Sequence, residues 1–438
     1  MYSKQKQLPE INTLFESNRD MNKDIGIITD SRQQKIIEDS FLINTSDSLN
    51  VKSLETNLRV PILNLPQTKF ENSNLAQYLF QNIQPQMQCN TNNQIYFKDQ
   101  LLNEKQINQE TQSFANKQNL QPFTYQLIQQ YSISKRKYCC AIAINQDCSI
   151  LLAGCGNQIK VFDFNQGIIK INQILQEHKD RVFTLNFMKK SCSFISGACD
   201  NTIIIWQQSQ NNQWISQQIL NGHTSYIFCL ILNNNEDLIV SGSWDNTIKF
   251  WVKNNQWSCH QTIEDHTSDV YGVSFNQQQN RIVSCGSDNL ILIMELQGEH
   301  KEWIIIQKIS VEQYGYRVCF IDNNMFALSI YDKEQISIFE MNSVNRQFTK
   351  TRDIHVKCES DGNCLFPSQY IMSKSLLFSK NGQCVNVIKK TLNGEFVTEQ
   401  SIQFYTPSIF GVINDDGEYL ITWDANSNQI QIRRYQEF

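Results

Sequence analysis

Three sets of histidine, serine and aspartate recur along the sequence with the same internal spacing. The sets are His178, Ser196 and Asp200; His223, Ser241 and Asp245; and His266, Ser284 and Asp288. These residue types can build a nucleophilic hydrolase, in which His activates the Ser hydroxyl and Asp orients the His ring. The first hypothesis to test is therefore an ester or peptide hydrolase.

The sequence around each serine argues against that chemistry. Ser196, Ser241 and Ser284 each lie within a run of apolar, β-prone residues, and no G-x-S-x-G turn is present to expose a nucleophile. A trio that recurs periodically is better explained as a repeated hydrogen-bond network that satisfies buried polar groups. We therefore predict no catalytic residues and a structural role for all three sets.

The elements that hold these residues are pairs of strands around a tight corner. Leu238–Ser241 is apolar and β-prone, Trp244–Asn246 is turn-forming, and Thr247–Trp251 is again rich in β-branched and aromatic residues. The same Asp–Asn corner recurs at Asp200 and Asp288. The chain is therefore predicted to repeat one β-hairpin unit.

This pattern resembles the WD-repeat β-propeller family, whose units of about 40–45 residues combine a turn Asp with a strand Trp. The resemblance implies one network of His, Ser or Thr, Asp and Trp in each blade. Carried over by position, the networks are His178, Ser196, Asp200 and Trp206; His223, Ser241, Asp245 and Trp251; and His266, Ser284 and Asp288. Met294 stands where the third Trp would be, so that network is expected to lack its indole donor.

Four weaker units extend the repeat to seven, at residues 153–162, 328–339, 377–388 and 420–432. Apolar pairs between units predict an outer strand after each of the first six. The seventh unit has no such segment after it, whereas Phe123–Tyr131 is available upstream. We predict an all-β, seven-bladed propeller of four-stranded antiparallel blades at residues 119–438. Phe123–Tyr131 would close the ring by pairing near Ile430–Arg434, which removes open sheet edges.

Residues 1–118 have a different composition, rich in Asn and Gln and poor in Gly. Their short apolar clusters bury too little surface to offset the entropy of ordering the chain. We predict a mostly disordered arm. Residues 72–84 and 99–116 have apolar residues at helical spacing and are each predicted as a short helix.

Composition limits the classes of partner. The net charge of −5 and isoelectric point near 5.8 make a nucleic-acid partner unlikely, and no apolar run reaches the roughly 18–20 residues that cross a bilayer. No secretory signal is visible, so a cytoplasmic location, with the nucleus as a second choice, and reduced, mostly buried thiols are expected for the 14 cysteines. No His or Cys spacing fits zinc, and we predict no metal and no cofactor.

Function is therefore expected on a surface. The corner residue is aromatic at Trp244, Tyr331 and Trp423, and the loops entering the innermost strands add Arg181, Tyr226, Asp269, Tyr314 and Arg317. Trp, Tyr and Arg are enriched in binding hot spots, although such residues also pack between blades. We predict a non-catalytic scaffold for protein or peptide partners, a monomeric propeller within a hetero-complex. The alternatives are a substrate-recognition subunit of a ubiquitin-ligase or other modification complex, and an enzyme that uses the channel mouth.

Overall fold

A computed structural model describes residues 122–133, 138–298, 302–362 and 365–438. The chain divides into two units, Met1–Asn119 and Leu120–Phe438. The predicted arm, with its helices at 72–84 and 99–116, lies outside the described residues.

The described part of the second unit forms seven four-stranded antiparallel sheets, each a blade. The first strand, β1 (Phe123–Ser132), belongs to the last blade. Blade 1 contains β2 (Cys139–Ile144), β3 (Ile150–Cys155), β4 (Gln158–Asn165) and β5 (Ile168–Leu175). Blade 2 contains β6 (Val182–Phe187), β7 (Ser193–Ala198), β8 (Ile203–Gln208) and β9 (Trp214–Leu220). Blade 3 contains β10 (Ile227–Leu232), β11 (Leu238–Ser243), β12 (Ile248–Lys253) and β13 (Trp257–Ile263). Blade 4 contains β14 (Val270–Phe275), β15 (Arg281–Gly286), β16 (Leu290–Gln297) and β17 (Glu302–Ser310).

Blade 5 contains β18 (Gly315–Phe320), β19 (Met325–Ile330), β20 (Gln335–Met341) and β21 (Phe348–His355). Blade 6 contains β22 (Gln369–Ile371), β23 (Leu376–Asn381), β24 (Cys384–Lys390) and β25 (Phe396–Gln403), with a 3-10 helix at Met372–Lys374. Blade 7 contains β26 (Ile409–Ile413), β27 (Tyr419–Asp424) and β28 (Gln429–Glu437), completed by β1. The prediction of seven four-stranded blades is confirmed.

The repeated corner forms because its Asn residue accepts a left-handed backbone. Asn201, Asn246 and Asn289 have φ of 66°, 68° and 60°, a region that Asn tolerates better than most residues. The preceding Asp then receives the backbone N–H two residues on, as in Thr247 N to Asp245 Oδ1 at 3.0 Å. This local chemistry turns the second strand of the blade into the third.

The core lies between neighbouring blades and continues around the ring. Separate clusters of buried apolar side chains join blades 1 and 2, 2 and 3, and so on, to blades 7 and 1. In one of them Phe250 of blade 3 stacks on Trp303 of blade 4 with ring centroids 5.5 Å apart. Because each blade buries its faces against two others, the ring is closed.

Strand β1 closes the ring in the predicted manner. It pairs antiparallel with β28, from Phe123 opposite Glu437 to Ser132 opposite Gln429, with a bulge between Leu127 and Gln129. The blade-7 sheet therefore has the order β1, β28, β27, β26. The N-terminal strand supplies the outer strand that the seventh unit lacks.

The expectation of reduced thiols is wrong for one pair of cysteines. Cys139 and Cys155 form a disulfide between β2 and β3, where they face each other with Cα atoms 4.1 Å apart. Antiparallel pairing brings the two cysteines together although they are 16 residues apart in sequence. A short motif such as C-x-x-C, which would predict the disulfide from sequence, is therefore not needed. The other cysteines among the described residues are not disulfide-bonded.

Candidate functional site

The repeated His, Ser, Asp and Trp residues form one hydrogen-bond network per blade in blades 2 and 3. In blade 3, His223 Nδ1 lies 2.8 Å from Asp245 Oδ2 and His223 Nε2 lies 2.6 Å from Ser241 Oγ. Trp251 Nε1 donates to Ser241 Oγ at 2.9 Å. In blade 2 the equivalent contacts join His178 to Asp200 and Ser196, and Trp206 to Ser196, at 2.7–2.9 Å. Each network ties an inter-blade loop to a corner and to two strands.

Blade 4 has a shorter version of the network. His266 contacts Asp288 Oδ2 and Ser284 Oγ, both at 2.9 Å. Met294 is buried where Trp would donate, and Leu290 stands where Thr247 of blade 3 donates its hydroxyl to Asp245 at 2.7 Å. The network therefore lacks two donors.

The donor order in blade 3 requires a neutral histidine. The Trp251 indole N–H can only donate to Ser241 Oγ. The single proton of Ser241 goes to His223 Nε2 at 2.6 Å rather than to the more distant carbonyl of Lys249 at 3.4 Å, and His223 Nδ1–H goes to the Asp245 carboxylate. Burial lowers the pKa of His223, and hydrogen bonding with Asp245 only partly opposes it. Burial alone would raise the pKa of Asp245, but bonds from His223 and Thr247 hold it below its ordinary value. The ionised Asp and neutral His both belong to the folded state.

We therefore expect the propeller to lose stability on acidification. The unfolded chain takes up a proton on His223 near the ordinary pKa of 6.5, before the folded chain does, so stability falls as pH drops through that value. A second loss follows as Asp200, Asp245 and Asp288, ordinarily near 3.8, are protonated. Thermal melts from pH 8 to 2 measure both losses. A melting temperature that rises between pH 7 and 5 would contradict the assignment, and His223→Gln should flatten the upper part of the curve.

A continuous band of aromatic side chains lies on the face formed by the inter-blade loops and the corners, and we call it the aromatic band. Its rings are in contact from blade 2 to blade 5, with centroids 4.8–6.2 Å apart. Most are half-buried, and Trp244 is 47% exposed. The members of the band are Phe183, Tyr226, Phe228, Trp244, Tyr271, Tyr314, Tyr316 and Tyr331.

Four members of the band are placed by a repeated β-bulge. Phe183, Phe228, Tyr271 and Tyr316 are each the second residue of an inner strand, and each is skipped in the pairing with the next strand. A bulge re-aims its side chain. These four rings line a cavity of about 370 Å³ that all seven inner strands border.

Sequence reasoning missed Phe183, Phe228 and Tyr271, although a signal was present. Aligning the units would have shown an aromatic residue at the same place in four successive inner strands. The corner and loop residues Tyr226, Trp244, Tyr314 and Tyr331 were predicted as surface aromatics, and the structure brings them together in the band. Lys135, Arg136 and Lys137, which the sequence also predicts in a loop that enters an innermost strand, lie outside the described residues.

Trp423 is not a surface residue, contrary to the sequence prediction. Its side chain is 1% exposed and packs between Phe410 and Tyr138. In blade 3 the corner begins at Trp244, whose N–H donates to the carbonyl of Tyr226, the residue before the inner strand. In blade 7 the equivalent bond runs from the N–H of Ala425 to the carbonyl of Ser408. Trp423 therefore lies inside β27, two residues before the corner.

Arg317 also lies away from the surface. Its side chain is 1% exposed, and its Nη1 donates to Asp361 Oδ2 at 3.2 Å and to the carbonyl O of Lys380 at 3.0 Å. The Lys380 ammonium bonds the same carboxylate, and Asp361 keeps a lowered pKa despite its burial because the two cations stabilise its charge. These ion pairs hold the loop between β21 and β22 against the strands, so Arg317 has a structural role and is not exposed to a partner.

Two predicted charged residues do lie beside the band. Arg181 is exposed, and its guanidinium carbon lies 5.5 Å from the centroid of the Phe183 ring. Asp269 is half-buried, and its Oδ2 accepts the hydroxyl of Tyr271 at 3.2 Å. The band therefore has a cation at one end and a carboxylate towards the other.

A ring of seven four-stranded blades with one network repeated in successive blades defines a β-propeller. A family model described as WD domain, G-beta repeat, matches residues 169–207, 214–252 and 257–293, from blade 1 to blade 4. Together with this ring, those matches support a WD-repeat protein. Propellers of this family are commonly protein-interaction scaffolds and are typically non-catalytic. No curated protein shows a significant match to the chain.

Neither a membrane-spanning helix nor a metal-ligand cluster is found among the residues that the structure describes. None of their helices is long and apolar enough to cross a membrane. None of their His, Cys, Asp and Glu side chains form a group of three or more suited to holding a metal ion.

Proposed function

We propose that this WD-repeat protein is a non-catalytic scaffold that binds a protein or peptide partner through the aromatic band. The supporting observation is an unbroken chain of ring contacts over four blades, with Trp244 47% exposed at its rim. Large, partly exposed aromatic side chains around a cavity are typical of interface hot spots. The propeller acts as a monomer within a hetero-complex, in the cytoplasm or nucleus.

The band is suited to a partner because its rings are already ordered. Phe183 and Phe228 stack with an interplanar angle of 7°, and Tyr314 and Tyr331 with 12°. Rings held by each other lose little further conformational freedom on binding, which favours affinity. The repeated bulge holds the inner part of the band on the rigid strands of the propeller.

Replacing Trp244 and Tyr331 together by Ala is expected to reduce partner capture by at least about tenfold, because hot-spot side chains contribute about 2 kcal/mol or more each. Quantitative affinity purification with mass spectrometry, wild type against variant, measures this. Val344→Ala is the matched control: Val344 is 91% exposed in the turn between β20 and β21, on the opposite face. Equal losses in both variants, or none in the first, would argue against the proposal.

We expect no hydrolysis of ester, peptide or phosphate substrates by the purified protein. Ser241 is fully buried, and its Oγ is engaged by both Trp251 and His223, which leaves no access for a substrate. Assays with broad substrate panels measure this. Turnover that disappears in a folded Ser241→Ala variant would overturn the expectation.

A further inference from the structure

One position carries a charged side chain in two of the four blades of the aromatic band, and Tyr226 and Tyr314 occupy it in the other two. It lies two residues before the bulged residue, and its carbonyl accepts the corner N–H of the same blade. Arg181 holds this position in blade 2, where its carbonyl binds the N–H of Cys199, and Asp269 holds it in blade 4, where its carbonyl binds the N–H of Ser287. Arg181 and Asp269 are therefore structurally equivalent residues of opposite charge.

In blade 2 the protein supplies its own cation to the bulged ring. The Arg181 guanidinium carbon lies 5.5 Å from the Phe183 centroid, within the range of a cation–π contact. The nearest carboxylate, that of Asp180, lies 4.0 Å from Arg181 Nε. A side chain at this position thus reaches the ring of the bulged residue.

In blade 4 the same position holds a carboxylate in place of a cation. Asp269 accepts a hydrogen bond from the Tyr271 hydroxyl at 3.2 Å. Burial raises the pKa of Asp269, and the bond from Tyr271 opposes this only in part. A cation placed beside this half-buried carboxylate would offset the cost of desolvating it.

The rings next to Asp269 form the densest part of the band. Tyr271 and Tyr316 have centroids 4.9 Å apart, and Tyr331 lies 5.0 Å from both Tyr314 and Tyr316. Aromatic faces attract cations through their negative potential. Burial and then the neighbouring Tyr314, Asp332 and Asp361 raise the pKa of Tyr331. The ion group of Arg317, Lys380 and Asp361 lies beside Tyr316, whose ring centroid is 5.6 Å from the Arg317 guanidinium carbon. Asp269 and Asp332 are the carboxylates near these rings that lie outside that group.

We infer that the partner segment places an arginine or lysine side chain at Tyr271 of blade 4, beside Asp269. This inference rests on the proposed function and names the chemistry of the partner at that site. The partner's cation takes the role at Tyr271 that Arg181 takes at Phe183. A nucleic acid or an acidic peptide would instead bring negative charge against Asp269 and the exposed Asp332.

A selection experiment tests the proposed function and the inferred cation separately. The full-length protein is immobilised and challenged with a phage-displayed library of random dodecapeptides, in parallel with the Trp244→Ala/Tyr331→Ala variant. We expect peptides enriched on wild type alone, with Arg or Lys in clear excess over the library. Enriched peptides without that excess would overturn this inference and leave the proposed function standing. No enrichment over the variant would count against both.

Variants at Asp269 then test the position of the cation with the most enriched peptide. Asp269→Asn keeps an acceptor for Tyr271 but removes the charge, and Asp269→Arg supplies a cation from the protein itself, as blade 2 does. By fluorescence anisotropy we expect Asp269→Asn to weaken binding on the order of tenfold and Asp269→Arg to abolish it. Replacing the peptide's Arg by citrulline, or its Lys by norleucine, should weaken wild-type binding to the same extent.

The matched control is Asp180→Asn, which removes an exposed carboxylate on the same face of blade 2 and should leave binding unchanged. Thermal melts confirm that each variant is folded. Equal binding by wild type, Asp269→Asn and Asp269→Arg, or a neutral peptide that binds as well as its charged parent, would overturn the inference.

Discussion

Removing residues 1–132 is expected to make the protein aggregate or melt at a much lower temperature than a chain that begins at residue 119. The shorter deletion keeps every described strand, whereas the longer one removes β1, the outer strand of blade 7. Its loss exposes the edge of β28, and an unprotected edge invites pairing with other chains. Size-exclusion chromatography and differential scanning calorimetry measure the difference.

The effect extends beyond hydrogen bonding because β1 also seals the interface between blades 6 and 7. Tyr125 is 3% exposed, its hydroxyl donates to the carbonyl of Gly417 at 2.6 Å, and its ring packs edge-on against Phe378 of blade 6 at 5.3 Å. Truncating such a ring costs about 3 kcal/mol or more. Tyr125→Ala should therefore reproduce part of the loss in the full-length chain.

Leu127→Ala is the control in the same strand, since Leu127 is 45% exposed and should change the melting temperature little. Truncations at 119 and 133 that melt alike would show that the ring does not depend on β1.

The second large effect is expected for Asp245→Ala. Asp245 accepts four bonds: from His223 Nδ1, from the backbone N–H groups of Thr224 and Thr247, and from the Thr247 hydroxyl. A buried donor left without an acceptor costs about 1–3 kcal/mol. Because water can reach some of the four donors, we expect the whole substitution to lower the free energy of unfolding by about the same amount, 1–3 kcal/mol. Urea unfolding measures the free energy of unfolding.

Asp288→Ala in blade 4 provides the internal comparison. Asp288 binds His266 and the backbone N–H groups of Thr267 and Leu290, with no threonine hydroxyl, and that network has no Trp. Its loss should cost less than the loss of Asp245. Glu264→Ala, at an exposed site, serves as the surface control. Equal or reversed losses at Asp245 and Asp288 would contradict the role given to the complete network.

The fold was predictable because its information is local and repeated. Each Asp–Asn corner forms a hairpin turn through an Asn with a left-handed backbone, and strand-forming residues lie on both sides of it. Each of these units can therefore be recognised from its own sequence. Counting outer strands then required β1 at the end of the ring. The disulfide was not predictable in this way, because Cys139 and Cys155 meet through strand register.

The site was only partly predictable because exposure depends on register and on neighbours. Trp244 and Trp423 look alike in sequence, yet one lies in a corner and the other lies within a strand beneath Tyr138. Arg317 follows a bulged aromatic and turns inward to an aspartate from a distant loop. The bulges themselves depend on pairing that no single unit specifies.

Site-specific photo-crosslinking in the native cell shows which face of the propeller contacts the partner. Benzoylphenylalanine is placed at residue 244 or 331 in the aromatic band, and at residue 344 on the opposite face. We expect the same protein partner to be crosslinked from 244 and 331 and not from 344. Crosslinks from 344 alone, or from none of the three while the protein is assembled with its partners, would show that the aromatic band is not the binding surface.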